Sequence, residues 1–282
     1  MLILKRPWAQ QPQTYAAPAV GKAISFLWTP SLGLLSPVLG DVLSNTGPVT
    51  LKTSSYGVTA DMASGAYLRG PSNKPQIVTS NGAGTGDFSI LTLCRLPYSS
   101  ATFNRALASQ RSNTSATFNQ ATIQGNANSA GAVTAGSLHF STYSTAYTAV
   151  AATVAHGVWA VVGMSRIGSL ISGYYNGALV ATVSGTARSI VAADSQFGIG
   201  VAPPNFSGVE TLESALVACM NRGMTDVEMR EAYNNVWRYC FAPRTRYFPT
   251  TSAAAAVPTL SASTYVTGSL TSTGWRPQIT AS

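Results

Sequence analysis

The run from residue 157 to residue 185, GVWAVVGMSRIGSLISGYYNGALVATVSG, limits the folds open to this chain more than any other feature. Its second half holds two β-rich segments, and the dipeptide Asn176–Gly177 lies between them. Asn-Gly is the strongest short signal for a β-hairpin, because both central residues of the turn need positive φ. The run therefore predicts two antiparallel strands that are joined by a tight turn at Asn176–Gly177.

Similar short segments recur along the chain. The segment DFSILTLCRL (87–96) is apolar almost throughout, which predicts a strand that is buried on both faces. Residues 105–111 have a composition that a helix tolerates, but this segment lies between strands and is too short to stand alone. Further strand candidates are 116–124, 137–144, 146–154, 157–168, 196–202 and 213–221. About a dozen strands with turns roughly every 8 to 12 residues predict an all-β sandwich or jelly roll.

One helix is indicated near the end of this β-rich region. Thr225 is followed three residues later by Glu228, which is the pattern of a capping box. Beyond them an apolar stripe recurs at helical spacing. Its members are Tyr233, Val236, Trp237 and Cys240. These signals predict a closing helix over 225–238 that lies against the sandwich and ends before Pro243.

The two ends of the chain differ from its middle. Residues 1–22 are rich in proline and glutamine, which predicts an extended arm that docks on another surface. We predict a jelly-roll sandwich with its closing helix over 23–242. The remainder, 243–282, is expected to form a strap, a linker and a short β extension. The N-terminal run does not match a signal peptide, and no segment reaches the roughly 18 apolar residues of a membrane span.

Charge is scarce and unevenly distributed. Only 9% of residues are charged, the net charge is +8, and no acidic residue occurs between Asp87 and Asp194. A low surface charge is typical of a protein that is bound into a larger assembly. The basic, aromatic run 234–248 admits two interpretations, a nucleic-acid strip or a structural strap. Because the basic residues between Asp87 and Asp194 are single and scattered, the strap is favoured and no nucleic-acid partner is expected.

The cysteines and histidines show no pattern of a metal or redox site. The three cysteines, Cys94, Cys219 and Cys240, lie in or beside apolar runs without metal-ligand spacing. We expect reduced core thiols, as in a protein that is made in a cytosol. The two histidines, His139 and His156, have no neighbouring cysteine or acid, so each is expected to be a core or surface residue.

Two kinds of site would depend on carboxylates, the active site of a glycoside hydrolase and a Ca²⁺ site. A glycoside hydrolase needs two carboxylates that flank the scissile bond, and Glu210 with Glu213 is the nearest candidate pair. Their spacing directs them to opposite faces of a strand, so no catalytic residue is expected. For Ca²⁺ the best candidate is Asp194 with Ser195 and Asn205. This set is sparse, so neither a metal ion nor another cofactor is expected.

Aromatic side chains leave carbohydrate binding open. Tyr143, Tyr147, Tyr174 and Tyr175 are the candidate contacts for a glycan or a partner. Because side chains alternate along a strand, one of Tyr174 and Tyr175 is expected to face outward. The alternative for all four is a tyrosine of the core or of an interface.

Four stretches resemble a known family. LKRPWAQQPQ, HGVWAVVGMSRIGSLISGYYNGALVATVSG, TDVEMREAYNNVWRYCFAPRTR and VPTLSASTYVTGSLTSTGWRPQITAS are similar to parts of the laminin-G-like, concanavalin A-like domains in virion proteins of tailed bacteriophages. The resemblance covers about 1–10 and 80–282. The last stretch looks like the first strands of a fibronectin type III-like module that is cut short.

This resemblance implies an all-β, concanavalin A-like (laminin-G-like) jelly roll and a non-enzymatic structural protein of a virion that is made in the host cytoplasm. We expect a homo-oligomeric, tail-associated part, such as a fibre, spike or adsorption protein, with a trimer as the expected state. A capsid decoration protein or head fibre, and a lectin-like module for host glycans, stay open as alternatives. The expected anchoring residues are Lys5, Arg6, Pro7, Trp8 and Tyr15. The expected strap residues are Trp237, Phe241, Pro243, Arg244 and Arg246.

Overall fold

The computed structural model describes a defined part of the chain. The described residues are 22–32, 42–81, 84–95, 105–112, 120–125, 136–142, 148–151, 154–155, 157–185, 189–192, 194–201 and 211–241. All of them belong to the unit Met1–Pro243, while the unit Arg244–Ser282 lies outside them. The predicted arm up to residue 21 and the predicted strap from Pro243 onward also lie outside them, so the domain boundaries stay predictions.

Fifteen strands are present within these described ranges. In chain order they are β1 (Ile24–Trp28), β2 (Ser44–Thr46), β3 (Val49–Ser54), β4 (Gly57–Met62), β5 (Tyr67–Arg69), β6 (Phe88–Arg95), β7 (Arg105–Ser112), β8 (Gln120–Gly125), β9 (Leu138–Thr142), β10 (Thr148–Ala151), β11 (Trp159–Ile167), β12 (Leu170–Tyr175), β13 (Ala178–Ser184), β14 (Ser195–Ile199) and β15 (Leu212–Met220). Two helices follow β15, namely α1 (Asp226–Asn234) and α2 (Val236–Cys240). A 3₁₀ turn at Pro30–Leu32 follows β1.

The strands form two antiparallel sheets. Sheet 1 has the order β13-β12-β11-β6-β15-β4-β3, and β1 also pairs with β15. Sheet 2 has the order β10-β9-β8-β7-β14-β5-β2. Strands that are neighbours in a sheet are often distant in sequence, as in the pairing of β6 with β15. Sheet 1 can therefore form only when the early and late strands of the chain come together.

The space between the sheets is filled by one apolar cluster to which both contribute. Across it the rings of Phe26 from sheet 1 and Phe197 from sheet 2 lie 4.7 Å apart. Because each such side chain is almost completely removed from water, its burial stabilises the fold by about 1.5–3 kcal/mol. The all-β, concanavalin A-like jelly-roll sandwich that the sequence predicted is confirmed.

Strand β6 shows why an unbroken apolar run marks a central strand. It pairs with β11 on one side and β15 on the other. Its side chains alternate, so Ile90 and Cys94 enter the cluster between the sheets. Leu91 and Leu93 point the other way and join a second apolar cluster. The predicted burial of this strand on both faces is confirmed.

The helices cover the outer face of sheet 1. Met229 and Ala232 of α1 are buried, as are Val236, Trp237 and Tyr239 of α2. They pack on sheet residues that include Leu91, Leu93, Val161, Leu216, Ala218 and Met220. The sandwich therefore has two apolar layers, one between the sheets and one between sheet 1 and the helix pair.

The closing helix differs from its prediction at one residue. The capping box is confirmed, since Thr225 Oγ1 accepts from the Glu228 N–H and the Glu228 carboxylate accepts from the Thr225 N–H. The predicted single helix over 225–238 is wrong, because Asn235 has φ −157° and ψ 83° and interrupts it. The Asn235 side chain then accepts from the Arg238 N–H and caps α2. The redirected helix buries Trp237 and brings Phe241 into the second apolar cluster.

A buried arginine fixes the glycine-rich turn before β6. The Arg166 guanidinium donates to the Gly84 carbonyl at 2.7 Å and to the Gly86 carbonyl, and lies 4.8 Å from the ring centre of Phe88. Burial lowers the pKa of Arg166 to about 10. Strand β6 follows directly after this turn. In the described residues no helix is long and apolar enough to cross a membrane.

Candidate functional site

A pocket of about 500 Å³ opens where the β12–β13 hairpin meets α1. Its lining residues are Asn176, Gly177, Ala178, Leu179, Asp226, Arg230, Tyr233 and Asn234. The first four belong to the turn and the start of β13, and the last four lie along α1. The volume is in the range of known small-ligand sites, about 300–1,000 Å³. The pocket thus joins two segments that lie about fifty residues apart in sequence.

The hairpin turn forms one wall because of its glycine. Asn176 and Gly177 have φ of 50° and 77°, which confirms the predicted turn of the primed type. A Cβ on Gly177 would lie 2.9 Å from Cβ of Tyr233 and 3.2 Å from Cα of Arg230. Only glycine therefore allows the turn to approach the helix this closely, and the close approach defines the depth of the pocket.

Asp226 is the anionic group of the pocket. Its Oδ1 accepts a hydrogen bond of 2.7 Å from the hydroxyl of Tyr174. Burial, followed by this hydrogen bond, raises the pKa of Tyr174 to about 12, so its hydroxyl stays protonated and donates. Asp226 is exposed at the first position of α1, where the helix dipole favours a carboxylate. The tyrosine fixes one carboxylate oxygen and leaves the other for a ligand.

Arg230 is the cationic group of the pocket, one turn further along α1. Its side chain is exposed and forms no hydrogen bond or ion pair with any residue of the described ranges. The other acids of α1 are paired elsewhere. Arg222 Nη2 donates to Glu228 Oε1 at 2.6 Å, and Lys22 Nζ lies 3.5 Å from Glu231 Oε2. The Arg230 guanidinium therefore keeps its donors for a ligand.

Neutral groups complete the lining. Tyr233 is half-buried and packs on the second apolar cluster, so part of its ring is fixed and part faces the pocket. Asn176 Oδ1 accepts from the Val161 N–H at 3.0 Å, which leaves its amide N–H groups for a ligand. Asn234 is exposed at the end of α1. An aromatic ring beside amide, carboxylate and guanidinium groups is suited to a polar ligand with an apolar face.

Of the tyrosines that the sequence singled out, the two described ones, Tyr174 and Tyr175, do not line the pocket. Tyr174 does point away from the core between the sheets, but α1 covers it and only 3% of it is exposed. It is therefore a buried tyrosine beneath α1, which is the alternative that the sequence left open, and its hydroxyl donates to Asp226. Tyr175 is half-buried and donates to the Ala155 carbonyl at 3.0 Å. Tyr143 and Tyr147 lie outside the described residues.

The other expected residues divide in the same way. Trp237 and Phe241 are buried, with ring centres 6.0 Å apart. The anchoring residues and the rest of the strap lie outside the described residues, and these are Lys5, Arg6, Pro7, Trp8, Tyr15, Pro243, Arg244 and Arg246. The three cysteines are buried and free, as predicted.

The carboxylates weighed for catalysis or Ca²⁺ make contacts with protein groups. Glu213 Oε1 accepts from Thr59 at 2.8 Å, and its Oε2 lies 3.7 Å from Arg95. Both oxygens of Asp194 accept from the Ser112 hydroxyl, at 2.8 and 2.9 Å. The partners proposed for these two acids, Glu210 and Asn205, lie outside the described residues. Within those residues no three acids, histidines or cysteines form a group that could hold a metal ion.

The sequence did not reveal the pocket residues as a site. In the sequence Asp226 is one acid near a helix start, and Tyr233 belongs to an apolar stripe. They meet the hairpin turn only because β11 pairs with β12 and α1 packs on sheet 1. A single sequence does not reveal these two long-range arrangements. The local signal that was available is the pair Asp226 and Arg230, which face the same side of a helix at a spacing of four residues.

Comparison with known proteins identifies solved structures of the same fold. No family model and no curated protein sequence matches the chain. The binding domain of botulinum neurotoxin DC in complex with SialylT has a TM-score of 0.56 at 11% identity, over 77% of this chain and 52% of that chain. The same toxin's binding domain in complex with rat synaptotagmin II has a TM-score of 0.53 at 13% identity, over 75% and 51%. The chain spans about half the length of these neurotoxin domains.

A second kind of neighbour matches over almost its whole length. It is domain 4 of AbnA, a GH43 extracellular arabinanase from Geobacillus stearothermophilus, in complex with arabinotriose. Its TM-score is 0.53 at 11% identity, and the match covers 74% of this chain and 97% of that domain. These likenesses establish a shared β-sandwich fold, which hosts glycan- and receptor-binding domains.

Proposed function

We propose that this protein is a glycan-binding recognition module. The observation that carries the proposal is the pocket at the hairpin and α1, where the Tyr233 ring lies beside Asp226, Arg230 and Asn234. Sugar rings have apolar faces that pack on aromatic rings and hydroxyl rims that exchange hydrogen bonds with carboxylate, amide and guanidinium groups. The pocket supplies both kinds of contact in one place.

The structural neighbours support this choice. One of them is in complex with arabinotriose, and another is a neurotoxin binding domain in complex with SialylT. The fold alone does not fix a ligand, because unrelated functions share it. The proposal therefore rests on the chemistry of the pocket. The arabinotriose complex adds that a domain of this fold binds a glycan in another protein.

We propose that the module binds without hydrolysing. Glu213, the described member of the carboxylate pair considered for catalysis, contacts Arg95 and Thr59. In the pocket Asp226 is the one carboxylate among the lining residues, whereas glycoside hydrolysis uses two that flank one bond. Incubation of bound glycans with the protein should release no reducing sugar, and a release that Asp226→Asn abolishes would contradict this.

The binding itself is tested on the full chain with a glycan array, followed by calorimetric titration of the best glycan. Tyr233→Ala should weaken binding about tenfold or more, because a central aromatic contact is lost. Val227→Ala is the matched control, since Val227 lies on α1, is 69% exposed and does not line the pocket. An array without binding, or equal affinities for both variants, would overturn the proposal.

The sequence resemblance supplies a setting for this recognition. We propose that the module belongs to a tailed-phage virion and contacts host surface glycans, with the tail as the favoured location and the capsid as the alternative. Antibody against the protein should label purified virions in electron micrographs and show which part carries it. Deletion of residues 1–20 should leave the sandwich folded and abolish incorporation. Virions that lack the protein would contradict this setting.

A further inference from the structure

We infer that the glycan bound at the hairpin–α1 pocket carries a carboxylate, as hexuronic and sialic acids do. This inference rests on the proposed glycan-binding function and specifies its ligand. The argument starts from the two charged groups of the pocket, Asp226 and Arg230, and from the partners that each of them has or lacks.

Arg230 offers an unused anion site. A guanidinium presents a planar fork of N–H donors that matches a carboxylate in bidentate fashion. Here Glu228 is held by Arg222 and Glu231 by Lys22, and no residue of the described ranges bonds to the Arg230 side chain. The pocket therefore contains a cation whose donors are available.

Asp226 sets the orientation of the ligand. It lies one turn before Arg230, so the two Cβ atoms are about 5–6 Å apart. Its Oδ1 is occupied by the Tyr174 hydroxyl, and the carboxylate repels a second negative charge. A ligand carboxylate is thus excluded from the Asp226 end and attracted to the Arg230 end. Hydroxyl or N-acyl groups of the sugar are expected at Asp226, where a donor is needed.

The neutral groups are consistent with this orientation. The free amide N–H groups of Asn176 and the side chain of Asn234 supply further polar contacts, and Tyr233 supplies an apolar surface. A neutral sugar would leave the Arg230 guanidinium without an anion. A carboxylated sugar supplies an anion for this guanidinium and hydroxyl groups for the other polar side chains, which is why we favour it.

The experiment uses matched ligands on the full chain. Tetragalacturonate is compared with its methyl ester, which has the same sugars without the charge, and sialyllactose is compared with lactose. The carboxylated member of at least one pair should bind about 10- to 100-fold more tightly than its neutral partner, because a charge-assisted bidentate contact is gained. The pair that responds identifies the source of the carboxylate. Raising the salt concentration should weaken only the charged ligand.

Variants assign the effect to Arg230. Arg230→Gln should remove the preference for the charged ligand, because the glutamine amide can still donate a hydrogen bond to a sugar hydroxyl but carries no charge for a carboxylate. Arg230→Lys should retain part of the preference, because it keeps the charge and loses the fork. Arg238→Gln, on the exposed side of α2, is the control that removes an equal charge outside the pocket.

The outcomes separate the two proposals. Equal binding of charged and neutral glycans, unchanged in Arg230→Gln, would overturn the carboxylate inference and leave the glycan-binding function standing. A charge preference that survives Arg230→Gln would also overturn it. Failure of every glycan to bind would overturn the proposed function, and the inference with it.

Discussion

The buried parts of the two outer sheet faces have opposite chemistry. On sheet 1 the face is apolar and lies under the helix pair. On sheet 2 most of the buried residues that alternate with the core are polar. These residues include Ser109, Thr122, His139, Ser141 and Gln196.

The difference teaches that burial stabilises the two faces by different means. Apolar side chains on sheet 1 gain free energy from any close-packed cover, in proportion to the area removed from water. Buried polar side chains on sheet 2 stabilise the fold only where each hydrogen-bond donor has an acceptor. A buried polar group without a partner destabilises the fold. The first face should therefore respond mainly to loss of volume, and the second to loss of partners and to protonation.

The largest effect is expected from Trp237→Ala. Trp237 is 3% exposed and packs between α2 and sheet 1, so its removal leaves a large cavity under the helices. The free energy of unfolding should fall by about 3–5 kcal/mol, as measured by urea denaturation followed by circular dichroism. Arg238→Ala, at the next and exposed position, should change it by about 0.5 kcal/mol or less. A loss below about 1 kcal/mol for Trp237→Ala would show that the helix pair is dispensable.

Protonation of His139 should give the next largest effect. Burial lowers the pKa of His139 to about 4, and its Nε2 has no hydrogen-bond partner in the described part of the chain. The unfolded chain has a pKa of about 6.5, so it binds a proton first as the pH falls. Stability is complete above pH 6.5 and declines as the pH falls through 6.5 towards 4, by up to about 3 kcal/mol.

The variant His139→Gln separates this effect from general acid sensitivity. It cannot take up a proton, so its free energy of unfolding should change less between pH 7 and pH 4.5 than that of the wild type. Parallel curves for the two proteins would mean that the imidazole titrates normally, and the contrast between the two sheet faces would lose its main support.

On the side of sheet 1 the corresponding acid response should lie at lower pH. The hydrogen bonds from Arg222, together with those from Thr225, lower the pKa of Glu228 to about 2. Its contribution is present above the unfolded pKa, about 4.3, and is lost as the pH falls towards 2. Because the side chain is mostly buried, this contribution is roughly 2 kcal/mol.

Thermal unfolding at pH 6 and pH 2.5 tests this response. Glu228→Gln should lower the melting temperature at pH 6 and have a smaller effect at pH 2.5. Glu231→Gln is the control, because Glu231 is a more exposed acid of the same helix whose pair with Lys22 contributes little. If both variants behave alike, the Arg222–Glu228 pair does not hold α1.

The smallest effect is expected from a hydroxyl pair on sheet 2. Ser109 Oγ and Thr122 Oγ1 lie 2.9 Å apart and both side chains are fully buried. Ser109→Ala leaves the threonine hydroxyl without this partner and should cost about 1 kcal/mol. The double variant with Thr122→Val should be closer to the wild type, since both polar groups are removed together. A double variant that is less stable than either single one would show that this face needs its polar groups for another purpose.

Much of the fold could be predicted because its strongest signals are local. The apolar run of β6, the Asn176–Gly177 turn and the capping box at Thr225 each depend on a few neighbouring residues. By contrast, β3 has exposed, polar residues and gave no clear pattern, since its position depends on pairing with β4. The segment 105–111 was ambiguous for the same reason, and pairing with β8 and β14 makes it a strand.

The candidate site was less predictable. Nothing in the order Asn234–Asn235 distinguishes a continuous helix from one that turns at Asn235, because the apolar stripe runs through both. The pocket itself requires that residue 177 meets residues 230 and 233, a contact set by the seat of the helix on sheet 1. Chemistry that depends on such long-range contacts becomes visible only in three dimensions.

The three buried thiols can report local opening of the fold. Burial raises the pKa of Cys94 and Cys240 to about 12, so neither is a thiolate at neutral pH and neither should react with alkylating reagents in the native state. Cys94 and Cys219 lie between the sheets, whereas Cys240 lies beneath the helix pair. The rate at which each thiol becomes modified therefore measures a separate event, detachment of the helices for Cys240 and parting of the sheets for the other two.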